Sequence, residues 1–136
     1  MTSVNQNDNL PKAGIAVVRE DEAGYSVLCL RFGDTFDLTK GGIEPHETEL
    51  DAALRETQEE AGITNLDFKW GLQKIRLNNM CFFIACTTEE PYIRSNPETN
   101  KKEHESAHWF TLEQAESKLH PDLSGIVEWI ATIVGG

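Results

Sequence analysis

Hydrophobic positions first cluster in two short runs. Residues 13–20, AGIAVVRE, and 25–32, YSVLCLRF, are rich in Val, Leu and Ile. Both predict strands, separated by a turn at Asp21–Gly24. A loop is predicted next, through Gly33, Asp34, Lys40, Gly41 and Gly42. The pattern then changes period. Residues 49–61 contain no Gly, Pro, Val or Ile, and Leu50, Ala53, Leu54, Thr57 and Ala61 share one stripe at about 100° per residue. Thr48 and Asp51 stand at capping-box spacing, and Gly62 is placed to stop the helix. Residues 66–76 and 79–87 predict two more strands, joined at Asn78–Asn79. The second, NMCFFIACT, is apolar almost throughout, as a strand covered on both faces would be. Its alternation puts Phe82 and Phe83 on opposite faces. Residues 91–103 carry two Pro, two Asn and many charges and predict an exposed loop. A short strand follows at 106–111, then a second capping-box signature at Thr111 and Gln114. Leu123, Ile126, Val127, Ile130, Ile133 and Val134 close the chain at helical spacing. This order predicts one mixed α/β domain with helices packed on a sheet.

Composition narrows the class. The 136 residues suffice for a single core, assigned to 13–136 behind a loose polar tail at 1–12 that lacks the apolar centre of a secretory signal. Twelve Lys+Arg face 23 Asp+Glu, a net charge of −11, which repels nucleic acid polymers and anionic membranes. No apolar stretch reaches the roughly 18 residues of a spanning helix. Cys29, Cys81 and Cys86 show no metal-ligand or redox spacing. Free thiols in a reducing, cytoplasmic setting are the simplest expectation.

The polar side of the 49–61 helix carries the chemistry. Glu60 lies about 40° around the axis from Glu56, Glu49 about 20° on that same side, and Glu59 about 60° on the other. Like charges at i,i+4 cost roughly 0.2–0.5 kcal/mol per pair. Arg55 is the helix's one base. It can pair with Asp51 or Glu59 but cannot neutralise the group. A charge run is ordinarily a solvated face. Here, though, Lys40-Gly41-Gly42 leads to the helix, placing a cation and close-approach glycines beside the acids. Carboxylates in that number suit hard divalent cations such as Mg²⁺, which share their shell with phosphate and water.

The residues resemble the signature of a known family. Gly41, Glu47 and Arg55-Glu56-Thr57-Gln58-Glu59-Glu60-Ala61-Gly62-Ile63 look like the Nudix box, with Thr57 in a slot that is usually apolar. The resemblance implies an α/β/α sandwich on a mixed sheet. It also implies a Mg²⁺- or Mn²⁺-dependent hydrolase that cleaves a nucleoside diphosphate linked to another group by metal-activated water. More than one ion is implied with substrate bound. By the same resemblance, Glu56, Glu59 and Glu60, with the Gly41 carbonyl, would hold metal. Arg55 and Glu47 would orient Glu56. Catalysis would fall to Glu56, Glu59 and Arg55, with Glu103 the preferred loop acid to order water and Glu105 the lesser candidate. Lys40, His46 and Phe83 are the expected substrate contacts, on phosphate for the first two and on a base for the third. Trp70, Tyr92 and Trp109 are further flat side chains, and Lys74, Arg76 and Arg94 further cations.

Residues 53–63 and Glu103-His104 ahead of Trp109 are similar to the asymmetrical diadenosine tetraphosphate hydrolase branch. Thr39 and His46 depart from that branch, which often has Pro and Gly at these places. A dinucleoside polyphosphate is therefore the expected substrate. An ADP-ribose-like sugar nucleotide or a nucleoside triphosphate is the alternative, and a non-catalytic nucleotide sensor the rival from another class. A monomer and a homodimer are equally compatible with the sequence.

Overall fold

The computed structural model describes residues 11–93 and 104–135. Seven strands form one mixed sheet: β1 (Lys12–Asp21), β2 (Gly24–Phe32), β3 (Thr35–Asp37), β4 (Thr39–Gly42), β5 (Lys74–Leu77), β6 (Met80–Cys86) and β7 (Ser106–Thr111). The helices are α1 (Glu49–Ala61), α2 (Leu112–Lys118) and α3 (Ser124–Val134), the last preceded by a 3₁₀ turn at Pro121–Leu123.

The order β3-β2-β1-β6-β5 runs across the sheet. β1 and β6 are parallel, from Lys12↔Met80 to Val18↔Cys86, and the other pairings between these strands are antiparallel. The opposite edge of β1 is divided. Its second half pairs with β2 at Val18–Asp21, and its first half with β4, from Lys12↔Gly42 to Ile15↔Thr39. β4 thereby reaches the centre of the sheet, next to α1.

Two cores follow from the two-residue period. Ile15, Val17, Leu28, Leu30, Phe83 and Ala85 face α1, where Ala52, Ala53 and Ala61 let the helix lie close. Ala16, Val18, Val27, Phe82 and Ile84 face Ile126, Val127 and Ile130 of α3. Phe82 and Phe83 do lie on opposite faces, as alternation requires. Phe82 is fully enclosed. Phe82→Ala is expected to cost about 3–5 kcal/mol in urea unfolding, by lost transfer energy and the cavity left behind; a cost below ~1 kcal/mol would contradict that burial.

Three expectations change. The loop predicted through residues 33–42 contains β3 and β4. Strands of three and four residues are too short to show a period; β3 folds back on β2 as a hairpin, and β4 is held by its ladder to distant β1. The strand predicted over 66–76 shrinks to Lys74–Leu77 plus one bridge at Asp67↔Cys86. A turn intervenes, with Gly71 at φ 83° donating its N–H to the Phe68 carbonyl at 2.9 Å. Lys12, assigned to the tail, already belongs to β1; residues 1–10 lie outside the described part of the chain.

Candidate active site

The site begins at the start of α1. Both capping-box bonds form: Asp51 N–H donates to Thr48 Oγ1 at 3.0 Å, and Thr48 N–H to Asp51 Oδ2 at 3.2 Å. Asp51 is thus occupied at the cap, and Arg55 takes other partners. Its Nε and Nη2 donate to the two Glu47 oxygens at 2.7 and 2.9 Å, and Nη2 also donates to the Gly42 carbonyl at 2.9 Å. Nη1 donates to Glu56 at 2.8 Å and Glu59 at 3.1 Å. One planar guanidinium therefore ties the 42–47 loop to two acids of the helix. The Arg55 bonds hold the Glu47 carboxyl down at about 2, helped by the Glu44 N–H.

β4 supplies the opposite wall. A Cβ on Gly41 would overlap the Glu56 carboxylate, so only glycine lets that acid lie against the strand. The Lys40 N–H donates to Glu60 Oε1 at 3.0 Å. Burial pushes the Glu60 carboxyl up to about 9, opposed by that N–H and reinforced by the negative charges of Glu56 and Asp37. Beneath them the hydroxyls of Thr39 and Thr57 meet at 3.0 Å, both buried. These residues are the departures seen in the sequence at a proline slot and an apolar slot. Each is the other's hydrogen-bonding neighbour.

Lys40 also reaches the other side of the sheet. Its Nζ donates to Asp37 Oδ2 at 2.8 Å. Both residues line a cleft of about 290 Å³ on the α3 face, together with Lys12, Phe36, Asn78 and His120. Lys40 thus touches the acidic ridge through its main chain and the cleft through its side chain.

Other expected site residues fall elsewhere. Glu49 leaves the ridge. Lys74 at 2.9 Å and Arg76 at 2.8 and 3.0 Å bind it and hold its carboxyl down at about 2. Phe83, expected to stack on a base, is 4% exposed in the α1-side core, with Lys74 Nζ 5.8 Å over its ring. His46 is exposed at the tip of its loop at φ 73°, a conformation that suits glycine better, and does not line the cleft. Glu105 holds the β2–β3 turn, accepting from the Gly33 N–H at 2.7 Å and donating its own N–H to the Arg31 carbonyl at 2.7 Å. Trp70 meets Tyr25 edge-on, and Trp109 is half-buried beneath the Arg19 guanidinium, 4.4 Å away. Tyr92 is 63% exposed and covers Gly62. Glu103 and Arg94 lie outside the described residues.

The sequence reading missed the cleft and Asp37. Asn78–Asn79 stood out only as a turn, which they form at φ 53° and 62°.

The donors fit a hard divalent ion. Glu56, Glu59, Glu60 and the Gly41 carbonyl would offer only oxygen donors, and Glu56 lies against Gly41 while Glu60 accepts from the neighbouring Lys40 N–H. Among the described residues no three His, Cys, Asp or Glu side chains close into a cage.

Comparison with known proteins agrees with this architecture. No curated protein sequence matches the chain. Among solved structures, a C. elegans Ap4A hydrolase binary complex superposes with TM-score 0.74 at 21% identity, over 92% of this chain and 98% of that one. The E. coli dihydroneopterin triphosphate pyrophosphohydrolase gives TM-score 0.66 at 16% identity, over 92% and 95%. The NUDIX domain of Shewanella oneidensis NrtR, complexed with ADP ribose, gives 0.64 at 12%, over 90% and 86%. These likenesses establish the fold. The family model for the NUDIX domain matches residues 9–130, nearly the whole described chain, and the protein belongs to the Nudix family.

Proposed function

We propose that this Nudix hydrolase cleaves dinucleoside polyphosphates with Mg²⁺, Mn²⁺ serving as a substitute. Hydrolysis of pyrophosphate bonds follows from the family; the substrate class is our reading. One observation carries it: Lys40 joins the acidic ridge to the cleft through the two ends of a single residue. A nucleoside seated in the cleft would lead its phosphates over Lys40 and Gly41 onto Glu56 and Glu60. At about 290 Å³ the cleft is at the small end for ligand sites and suits one nucleoside, leaving the second outside. The Ap4A hydrolase complex shares this fold.

Bound divalent ions would neutralise phosphate charge and polarise an attacking water. Glu56, Glu59, Glu60 and the Gly41 carbonyl would hold them. Arg55 orients Glu56 and Glu59 through its hydrogen bonds, and Glu47 fixes Arg55. Lys40 would meet the phosphates once it turns from Asp37. No helix among the described residues is long and apolar enough to cross a membrane. A cytoplasmic enzyme acting on a free nucleotide is the reading we adopt.

The test is a substrate panel with and without Mg²⁺. A dinucleoside tetraphosphate is expected to give at least tenfold higher kcat/KM than ADP-ribose or nucleoside triphosphates, and chelation to abolish turnover. Preference for ADP-ribose would transfer the protein to the sugar-nucleotide class. Tight binding without turnover would make it a sensor.

A further inference from the structure

We infer that Asp37 is a specificity-determining residue: its carboxylate accepts a hydrogen bond from the nucleoside end of the substrate. This rests on the reading that the cleft holds a nucleoside, but not on the dinucleoside preference.

The inference starts from a misplaced charge. The cleft is joined through Lys40 to the ridge proposed to take phosphate, and Lys12 and Lys40 supply it with cations. Asp37, 30% exposed, places an anion in the same wall. Its Oδ1 accepts from the Leu38 N–H at 2.8 Å and its Oδ2 from Lys40 Nζ at 2.8 Å. A carboxylate here works against every phosphate that enters, and it draws off the ammonium best placed to meet one.

When Lys40 turns to phosphate, Asp37 Oδ2 loses its ammonium donor, and a nucleoside seated in the cleft would shut out the water that could replace it, which is costly unless another donor arrives. The nucleoside can bring one: an amino or ring N–H of the base, or a ribose hydroxyl. Lys40 and Asp37 then exchange partners together, and bare phosphate, which has no such donor, leaves Asp37 unsatisfied. Asp37 thus favours phosphates that carry a nucleoside over those that do not. The other groups of the wall are less suited: Asn78 donates to the Asp122 carbonyl at 3.1 Å, His120 Nδ1 accepts from the Asp122 N–H at 3.1 Å, and Asp122, the wall's second carboxylate, is 67% exposed with water as its ready donor.

The experiment compares Asp37→Asn with the unaltered protein by calorimetry in EDTA, so that nothing is hydrolysed. Asparagine is isosteric and keeps an acceptor for the Leu38 N–H. AMP and GMP are expected to bind the variant tenfold or more weaker, the range of a lost hydrogen bond to a charged group. Tripolyphosphate, which has no nucleoside, is expected to bind as well or better. Lys40→Met should weaken both probes. GMP against IMP, and AMP against purine riboside monophosphate, locate the donor on a base amino group; AMP against 2′-deoxy-AMP locates it on the ribose. A parallel loss for AMP and tripolyphosphate would reduce Asp37 to a holder of Lys40 and overturn the inference. Unchanged AMP and GMP binding would overturn it too. A protein that binds AMP as expected yet spares dinucleoside polyphosphates would refute only the proposed substrate.

Discussion

Hydrolysis by Glu60→Gln is expected to fall by about 10²-fold or more, while the metal-free protein becomes more stable. Both results come from one buried carboxylate. Glu60 sits behind β4 with the Lys40 N–H on one oxygen, and burial pushes its proton affinity up to about 9. An unfolded chain releases that proton near 4.5. Below pH 4.5 both states hold it, and the acid costs nothing. As the pH rises, the unfolded chain loses the proton while the folded protein keeps it, so stability falls by about 1.4 kcal/mol per pH unit until about pH 9. Glutamine keeps the acceptor for Lys40 and escapes this penalty. In EDTA the two proteins should melt together near pH 4.5 and diverge as pH rises, reaching a few kcal/mol in favour of the variant at pH 7–8. A divalent ion held by Glu60 would replace the proton, so Mn²⁺ should stabilise the unaltered protein more than the variant, and increasingly so at higher pH. Melting temperatures with EDTA and with Mn²⁺ at pH 5 and pH 8, beside initial rates, measure all of this. Parallel melting curves across that pH range would show that Glu60 is not held protonated by the fold.

Whether a feature could be read from the sequence followed how local its causes are. α1 was legible because everything that defines it lies within fifteen residues: the Thr48–Asp51 cap, an uninterrupted helical run, and Gly62. The ridge acids share that helix, so their spacing alone put them together. The charge balance around them was not local. Glu49 has the right helical angle, yet Lys74 and Arg76, 25 and 27 residues on, claim it. Alternation separated Phe82 from Phe83 correctly, but only the packing of α1 shows that Phe83 is covered. Thr39 and Thr57 read as two isolated departures, and their contact across 18 residues becomes visible only when β4 meets α1. The cleft was the least legible part. Its walls come from residue 12, residues 35–40, the Asn78–Met80 hairpin and the turn before α3, and no short segment carries its signature.

Gly41→Ala is expected to cost about 10²-fold in rate while leaving the fold largely intact. The side chain it would strike is Glu56, whose carboxyl carbon and both oxygens occupy the position of the new Cβ. Something must move, and the weaker side is the end of a flexible side chain. β4 is fixed by its ladder to β1, with Ala13 opposite Gly41, and by the Thr39 hydroxyl on the Ile15 carbonyl at 3.0 Å. Glu56 therefore swings out, giving up its 2.8 Å bond from Arg55 and its place on the ridge. Crowding of this kind costs about 1–3 kcal/mol in stability, a smaller share of function than the loss of a metal ligand's support. Gly42→Ala is the matched control. Its Cβ meets nothing within 4 Å, and its carbonyl stays available to Arg55 Nη2. Its rate should stay within about twofold, since no hydrogen bond of the site is disturbed. Measured side by side, the two neighbours separate a general effect of methyl groups in this loop from the specific demand for space against Glu56. A fully active Gly41→Ala protein would mean that Glu56 works from another position, and the ridge would have to be rebuilt without it.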